Sequence, residues 1–224
     1  MSMSTIRISG LLLLLTAIAT AVSVMTRLNS SMEPLDGSPI PLPIILDTSQ
    51  YVIAGAARVL SGLALLAAAA FLWMAIRVGQ PQAMGLAAAL LVLSGVATAI
   101  SGAAMLALAG GIPQAANGAA TLMTWSAPGW VEPADAVRWI AGKVGFTLAG
   151  LGLIALGPVQ WRIGGLLKIS AVADVVIGVA MLFIWVDAAT VMHRVSGIAF
   201  LLWLIVSGVW LTAGLLKSPQ PDTP

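Results

Sequence analysis

The sequence predicts an all-α, polytopic membrane protein, a bundle of six transmembrane helices, and three observations lead there. Of its 224 residues, 60% are hydrophobic and 8% charged, with a mean hydropathy of +1.05. A soluble domain carries roughly 25% charged residues, so most of this surface is made to face lipid. The apolar residues fall into six windows, at about 7–26, 51–77, 83–109, 138–157, 163–186 and 192–215. Each approaches the roughly 20 residues that a helix needs to cross a bilayer. The longer connections are rich in proline and turn residues, as in RLNSSMEPLDGSPIPLPIILDTSQ after the first window.

The first window, from Arg7 through a leucine run to Ala19-Thr20-Ala21, imitates a secretory signal peptide with an A-x-A cleavage site. Its apolar stretch is longer than such a segment usually has, so it is read as a span. The second window contains ARVLSGLALL and the third reads MGLAAALLVLSGVATAISGAAMLALAG. In the third, Ser94 and Ser101, and Gly95 and Gly102, repeat at seven residues, the pattern of a close helix–helix seam. The fourth, RWIAGKVGFTLAGLGLIALG, is predicted to end at Pro158, and its Gly142, Gly145, Ala149 and Gly152 read as packing positions. The fifth contains KISAVADVVIGVAMLFIW and the sixth RVSGIAFLLWLIVSGVWLTAGLL.

The connection before the fourth window carries Trp125, Trp130 and Trp139, residues that favour a membrane interface. A short interfacial helix is expected around AANGAATLMTW, and PIPLPIIL in the first connection is expected to lie extended. Residues 1–217 form one transmembrane domain, and 218–224 a disordered polar tail. RISGLL and RIGGLL, and RVLSGLALL and RVSGIAFLL, suggest a weak echo of the first hairpin in the third.

The even number of spans puts both termini on one side. Arg7, Arg77, Arg162, Lys168 and Lys217 fall at that side, against Arg27, Arg138 and Arg194 in the opposite loops and caps. The excess predicts that both termini are cytoplasmic. Ten cations against eight acids, without a basic run, give no footprint for nucleic acid. The absence of cysteine excludes disulfides, thiolate metal sites and cysteine nucleophiles from this chain.

A charge inside a bilayer costs at least about 2.5 kcal/mol, which singles out Asp174, Arg58 and Lys143. Their depths are compatible with an intramembrane charge network, with Asp174 either paired to Arg58 or hydrogen-bonded to a neighbouring helix as a packing device, or serving as a proton or cation site. A second candidate cluster, Asp187, His193 and Arg194, lies at the outer start of the sixth span. His193 is the single histidine, too few for a bis-histidine haem and a poor copper site even beside Met192. It reads better as a capping or interfacial residue. No HExxH, paired glutamates or GxSxG occurs, so no catalytic residues, metal or cofactor are predicted.

The opening IRISGLLLLLTAIATAVS, the buried arginine in ARVLSGLALLAAAAFLWMAIR, and WRIGGLLKISAVADVVIG followed by AFLLWLIVSGVWL are similar to the bacterial membrane proteins of domain-of-unknown-function family 4386. The resemblance covers most of the chain, in hydropathy, spacing and a few polar positions. It implies six helices in a bacterial cytoplasmic membrane and no established activity.

The expected function is that of a non-enzymatic accessory or assembly partner, because helix faces are rich in glycine, alanine and serine and catalytic constellations are absent. Its expected partners are the lipid bilayer and another membrane protein or a second copy of the chain. The alternative is a small proton-coupled transporter using Asp174 with Arg58 and Lys143. A third reading, an enzyme acting on lipids, would use His193 and Asp187.

Overall fold

The computed structural model describes residues 3–29, 48–76, 81–116, 129–163, 167–186 and 190–214. All six predicted spans are helices, each long and apolar enough to cross a membrane. They are α1 (Met3–Asn29), α2 (Thr48–Ile76), α3 (Pro81–Ala116), α4 (Val131–Ile163), α5 (Leu167–Leu182) and α6 (Thr190–Thr212). A 3-10 turn, Phe183–Trp185, follows α5. The 16 residues of α5 reach only ~24 Å at 1.5 Å each, short of a hydrocarbon core of about 30 Å. The turn supplies the missing length.

Helix α4 departs from the prediction at both ends. It begins at Val131 rather than at 138 and continues through Pro158 to Ile163. Its early start has local causes: Glu132 complements the helix dipole, Pro133 is tolerated in a first turn, and Asp135 pairs with Arg138 at 2.7 Å. At the other end Pro158 removes one backbone hydrogen bond. Ending the helix there would leave a turn of carbonyls unsatisfied at the membrane, so continuation is the cheaper solution. The expected extended segment in the first connection, most of the expected interfacial helix, and the tail 218–224 lie outside the described residues.

Among the described residues the six helices form a closed ring in chain order, each packed on its two neighbours, with α6 returning to α1. The α5–α6 seam is the lightest of the six. Successive helices run antiparallel, so the start of α1 and the end of α6 share one face of the ring, the N-terminal face.

Close approach at the seams requires small residues. A Cβ on Gly95 of α3 would sit 2.5 Å from the Gly62 carbonyl oxygen of α2, and one on Gly10 of α1 would sit 2.7 Å from the Gly208 carbonyl oxygen of α6. Gly150 of α4 meets Gly178 of α5 in the same way. Hydroxyls add interhelical bonds to these contacts. Ser9 donates to the Ala68 carbonyl (2.9 Å), Ser23 to Ala54 (3.0 Å), Ser94 to Gly145 (2.7 Å) and Ser101 to Arg138 (2.7 Å). Such bonds average about 0.6 kcal/mol in membranes, so packing carries most of the energy.

The seven-residue repeat of α3 is therefore a two-sided seam: Ser94 and Ser101 face α4 while Gly95 and Gly102 abut α2. Larger side chains, among them Leu13, Leu72, Met84, Leu91, Leu153, Met181, Phe200 and Trp203, fill the ring's interior from all six helices. The sequence echo does not extend to packing. Gly62 lies in a seam, whereas nothing lies within 4 Å of a Cβ on Gly197, the corresponding position of α6.

Gly95→Val should therefore lower stability by about 1–3 kcal/mol through overpacking, while Gly197→Ala should be neutral or slightly stabilising. Thermal unfolding of the two variants in detergent checks this contrast.

Candidate functional site

The buried stripe of α5 is Ala171, Asp174, Gly178 and Met181. Ala171 and Gly178 bring the helix against α4, where a Cβ on Gly157 would lie 3.1 Å from the Ala171 carbonyl oxygen. Asp174, between them, is fully buried. Its Oδ1 accepts a hydrogen bond of 2.7 Å from Trp203 Nε1 on α6. Trp203 is held by a stack on Phe200 (centroids 5.8 Å apart, planes at 9°), and Phe200 meets Phe146 edge to face at 6.4 Å. Aromatic packing from α4 and α6 thus fixes the donor that meets the acid.

The second carboxyl oxygen has no such tie. Asp174 Oδ2 and Gln160 Oε1 are both buried without a hydrogen-bond partner among the described residues, and Gln160 and Ser170 face the same carboxyl group. An unsatisfied buried acceptor costs about 1–3 kcal/mol, more when charged.

Beside this group lies a cavity of about 70 Å³, bounded by residues from all six helices, among them Leu13, Leu72 and Met84. Gln160, Ser170, Trp203, Ser207 and Trp210 are its polar walls. Leu72, Met84, Gln160 and Leu211 lie within about one turn of their helix ends, which places the cavity just inside the N-terminal face. At about 10–15 Å³ of such volume per water, it has room for several. Asp174 lies seven residues into α5, about 10 Å deep.

The structure does not bring Asp174, Arg58 and Lys143 into one network. Helices α2 and α5 do not touch, and Arg58 crosses to α4, where a Cβ on Gly142 would sit 2.7 Å from its Nη2 and 3.3 Å from Ser101 Oγ. Gly142 makes room for the guanidinium. Asp174 lies level with Ile154 of α4, since Gly157 meets Ala171 and Gly150 meets Gly178. The two levels are twelve residues apart on α4, roughly 18 Å.

Lys143 is also distant from the acid, with its Nζ 5.5 Å from the Trp185 ring centroid. Trp185 donates to Thr147 Oγ1 at 2.7 Å. Of the outer cluster, Asp187 lies outside the described residues and Arg194 is exposed. His193 Nε2 meets the Phe183 carbonyl at 2.8 Å, necessarily as the donor. It ties the 3-10 turn to the start of α6. The described residues hold no group of three or more His, Asp or Glu able to bind a metal.

Sequence reasoning overlooked Gln160, Trp203, Ser207 and Trp210. A signal existed in α6, where Trp203, Ser207 and Trp210 recur at i, i+4 and i+7 on one helix face. No family model, curated protein or solved structure matches the chain.

Removing the indole donor should leave both Asp174 oxygens unsatisfied. Trp203→Phe is expected to destabilise the protein by about 1–3 kcal/mol, whereas Asp174→Asn keeps an acceptor for the indole and should cost less. Unfolding of the single and double variants measures the coupling, and independent, additive effects would contradict the contact.

Proposed function

We propose that the protein is a small proton-coupled carrier of a bacterial cytoplasmic membrane, with Asp174 as the group that takes up and releases the proton. One observation carries the reading: a fully buried carboxyl group with one oxygen anchored by Trp203 and the other facing Gln160 and Ser170, which line a mostly apolar cavity. Intramembrane acids facing a bundle interior commonly mark ion or proton pathways. The cavity provides the path from the N-terminal face, and the light α5–α6 seam is where the ring opens to the other side. Neither Arg58 nor Lys143 enters this version of the carrier. Both termini are cytoplasmic in this reading, supported by Arg7, Arg162 and Lys168 at the N-terminal face. The bacterial assignment rests on the resemblance in the opening, second and last spans.

The accessory reading drew on faces rich in glycine, alanine and serine. Gly10, Gly62, Gly95, Gly150, Gly178, Ser94 and Ser101 are occupied by seams inside the chain's own ring. They lend no separate support to an external partner.

In proteoliposomes carrying an interior pH dye, wild-type protein should conduct protons under an imposed gradient. Asp174→Asn should cut that flux by at least about tenfold, with unfolding behaviour retained. Undiminished flux in a folded Asp174→Asn variant would contradict the proposal.

A further inference from the structure

The lipid-facing side of the α4–α5 seam carries a second cavity, a cleft of about 330 Å³ with almost wholly apolar walls. Pro158 and Trp161 of α4 line one side and Val172, Val175 and Val176 of α5 the other, with Gly157 between them. It is separate from the acid's cavity, with which it shares no lining residue: Val172, Val175 and Val176 are exposed, and only Ala171 of the stripe bearing Asp174 reaches its floor. Its shape follows from Gly157, where a Cβ would lie 2.7 Å from Val175 Cγ2. The helices close tightly at that point, and Trp161, 53% exposed, overhangs the gap.

Two cations stand at the end of this cleft nearest the N-terminal face. Lys168 Nζ is 5.5 Å from the Trp161 ring centroid, close enough for a cation–π attraction. Lys168 also lies four residues before Val172, and Arg162 four residues after Pro158, so each continues a cleft-lining face of its helix by one turn. Both are exposed.

The geometry points to a binding site for one anionic phospholipid, with an acyl chain in the cleft and the phosphate held between Arg162 and Lys168. The combination selects the ligand class. A free anion has no use for an apolar cleft of this size, and a lipid without net charge has no use for two cations at its mouth. An amphiphile with an anionic head uses both, and basic groups between transmembrane helices bind such head groups elsewhere. Trp161 serves both halves, lining the cleft while its ring lies 5.5 Å from Lys168 Nζ. The inference is independent of the carrier reading, because none of these side chains contacts Asp174.

The test is native mass spectrometry of the full-length protein released from micelles holding equal amounts of phosphatidylglycerol and phosphatidylcholine. Wild-type protein should retain phosphatidylglycerol in preference. Lys168→Gln and Arg162→Gln should each lower that preference roughly fivefold, the share of one cation near a membrane surface. Arg7→Gln, which removes an exposed cation from the same end of the bundle away from the cleft, should leave it unchanged. Val175→Trp, which fills the cleft while sparing both cations, should reduce the total lipid retained and provides a test independent of charge. An unaltered preference in Lys168→Gln and Arg162→Gln would overturn the site. So would an equal loss in Arg7→Gln, or full lipid retention in Val175→Trp.

Discussion

The hydrogen bond from Trp203 to Asp174 closes the ring. Five of the six seams are made by long, intimate helix contacts, but α5 and α6 touch lightly. Across that seam the indole–carboxyl bond of 2.7 Å in the middle and the His193–Phe183 bond of 2.8 Å at the far end are polar ties between described residues. A hydrogen bond to an ionised carboxylate contributes about 1.5–3 kcal/mol, several times the average interhelical bond in a membrane. One oxygen of Asp174 is thus a structural tie, while the other faces Gln160 and Ser170.

The cavity beside it follows from how the seams are built. Gly10, Gly62, Gly95, Gly150, Gly178 and Gly208 draw neighbouring helices together, yet six helices in a ring cannot all meet at the centre. Large side chains fill most of that space, Leu91, Leu153, Leu204 and Met181 among them. Toward the N-terminal face the fill gives way to Gln160, Ser170 and Ser207. Of these groups, Gln160 and Ser170 face the Asp174 carboxyl, and Gln160 Oε1 is left buried without a partner among the described residues.

Much of the fold was legible because lipid is a simple solvent. Every backbone group in a span must be satisfied internally, so a long apolar window has one solution, and the six windows became six helices. The seven-residue repeat of Ser94, Gly95, Ser101 and Gly102 likewise announced its seam. The acid itself was legible because a charge in an apolar run is rare. Its partner was not, since pairing depends on which helices are neighbours, and α2 and α5 stand apart in the ring. Gln160 was lost for a different reason: a proline ends most helices in water, which placed Gln160 beyond the span, whereas α4 continues through Pro158 and carries it to the acid. Trp203 was read as part of an apolar span, although a buried indole N–H needs an acceptor and an intramembrane acid is a natural one.

The central claim is that water reaches Asp174 from the N-terminal face through the cavity between Gln160, Ser170 and Ser207. The natural absence of cysteine makes a single Ser207→Cys variant a clean probe of it. In vesicles, the thiol should react with a small cationic methanethiosulfonate applied at that face. It should react more slowly with an anionic reagent of similar size, with the difference removed by Asp174→Asn. A thiol that reacts with neither reagent from either face, in protein that is folded and uniformly inserted, would mean that the cavity is dry and the acid serves packing alone.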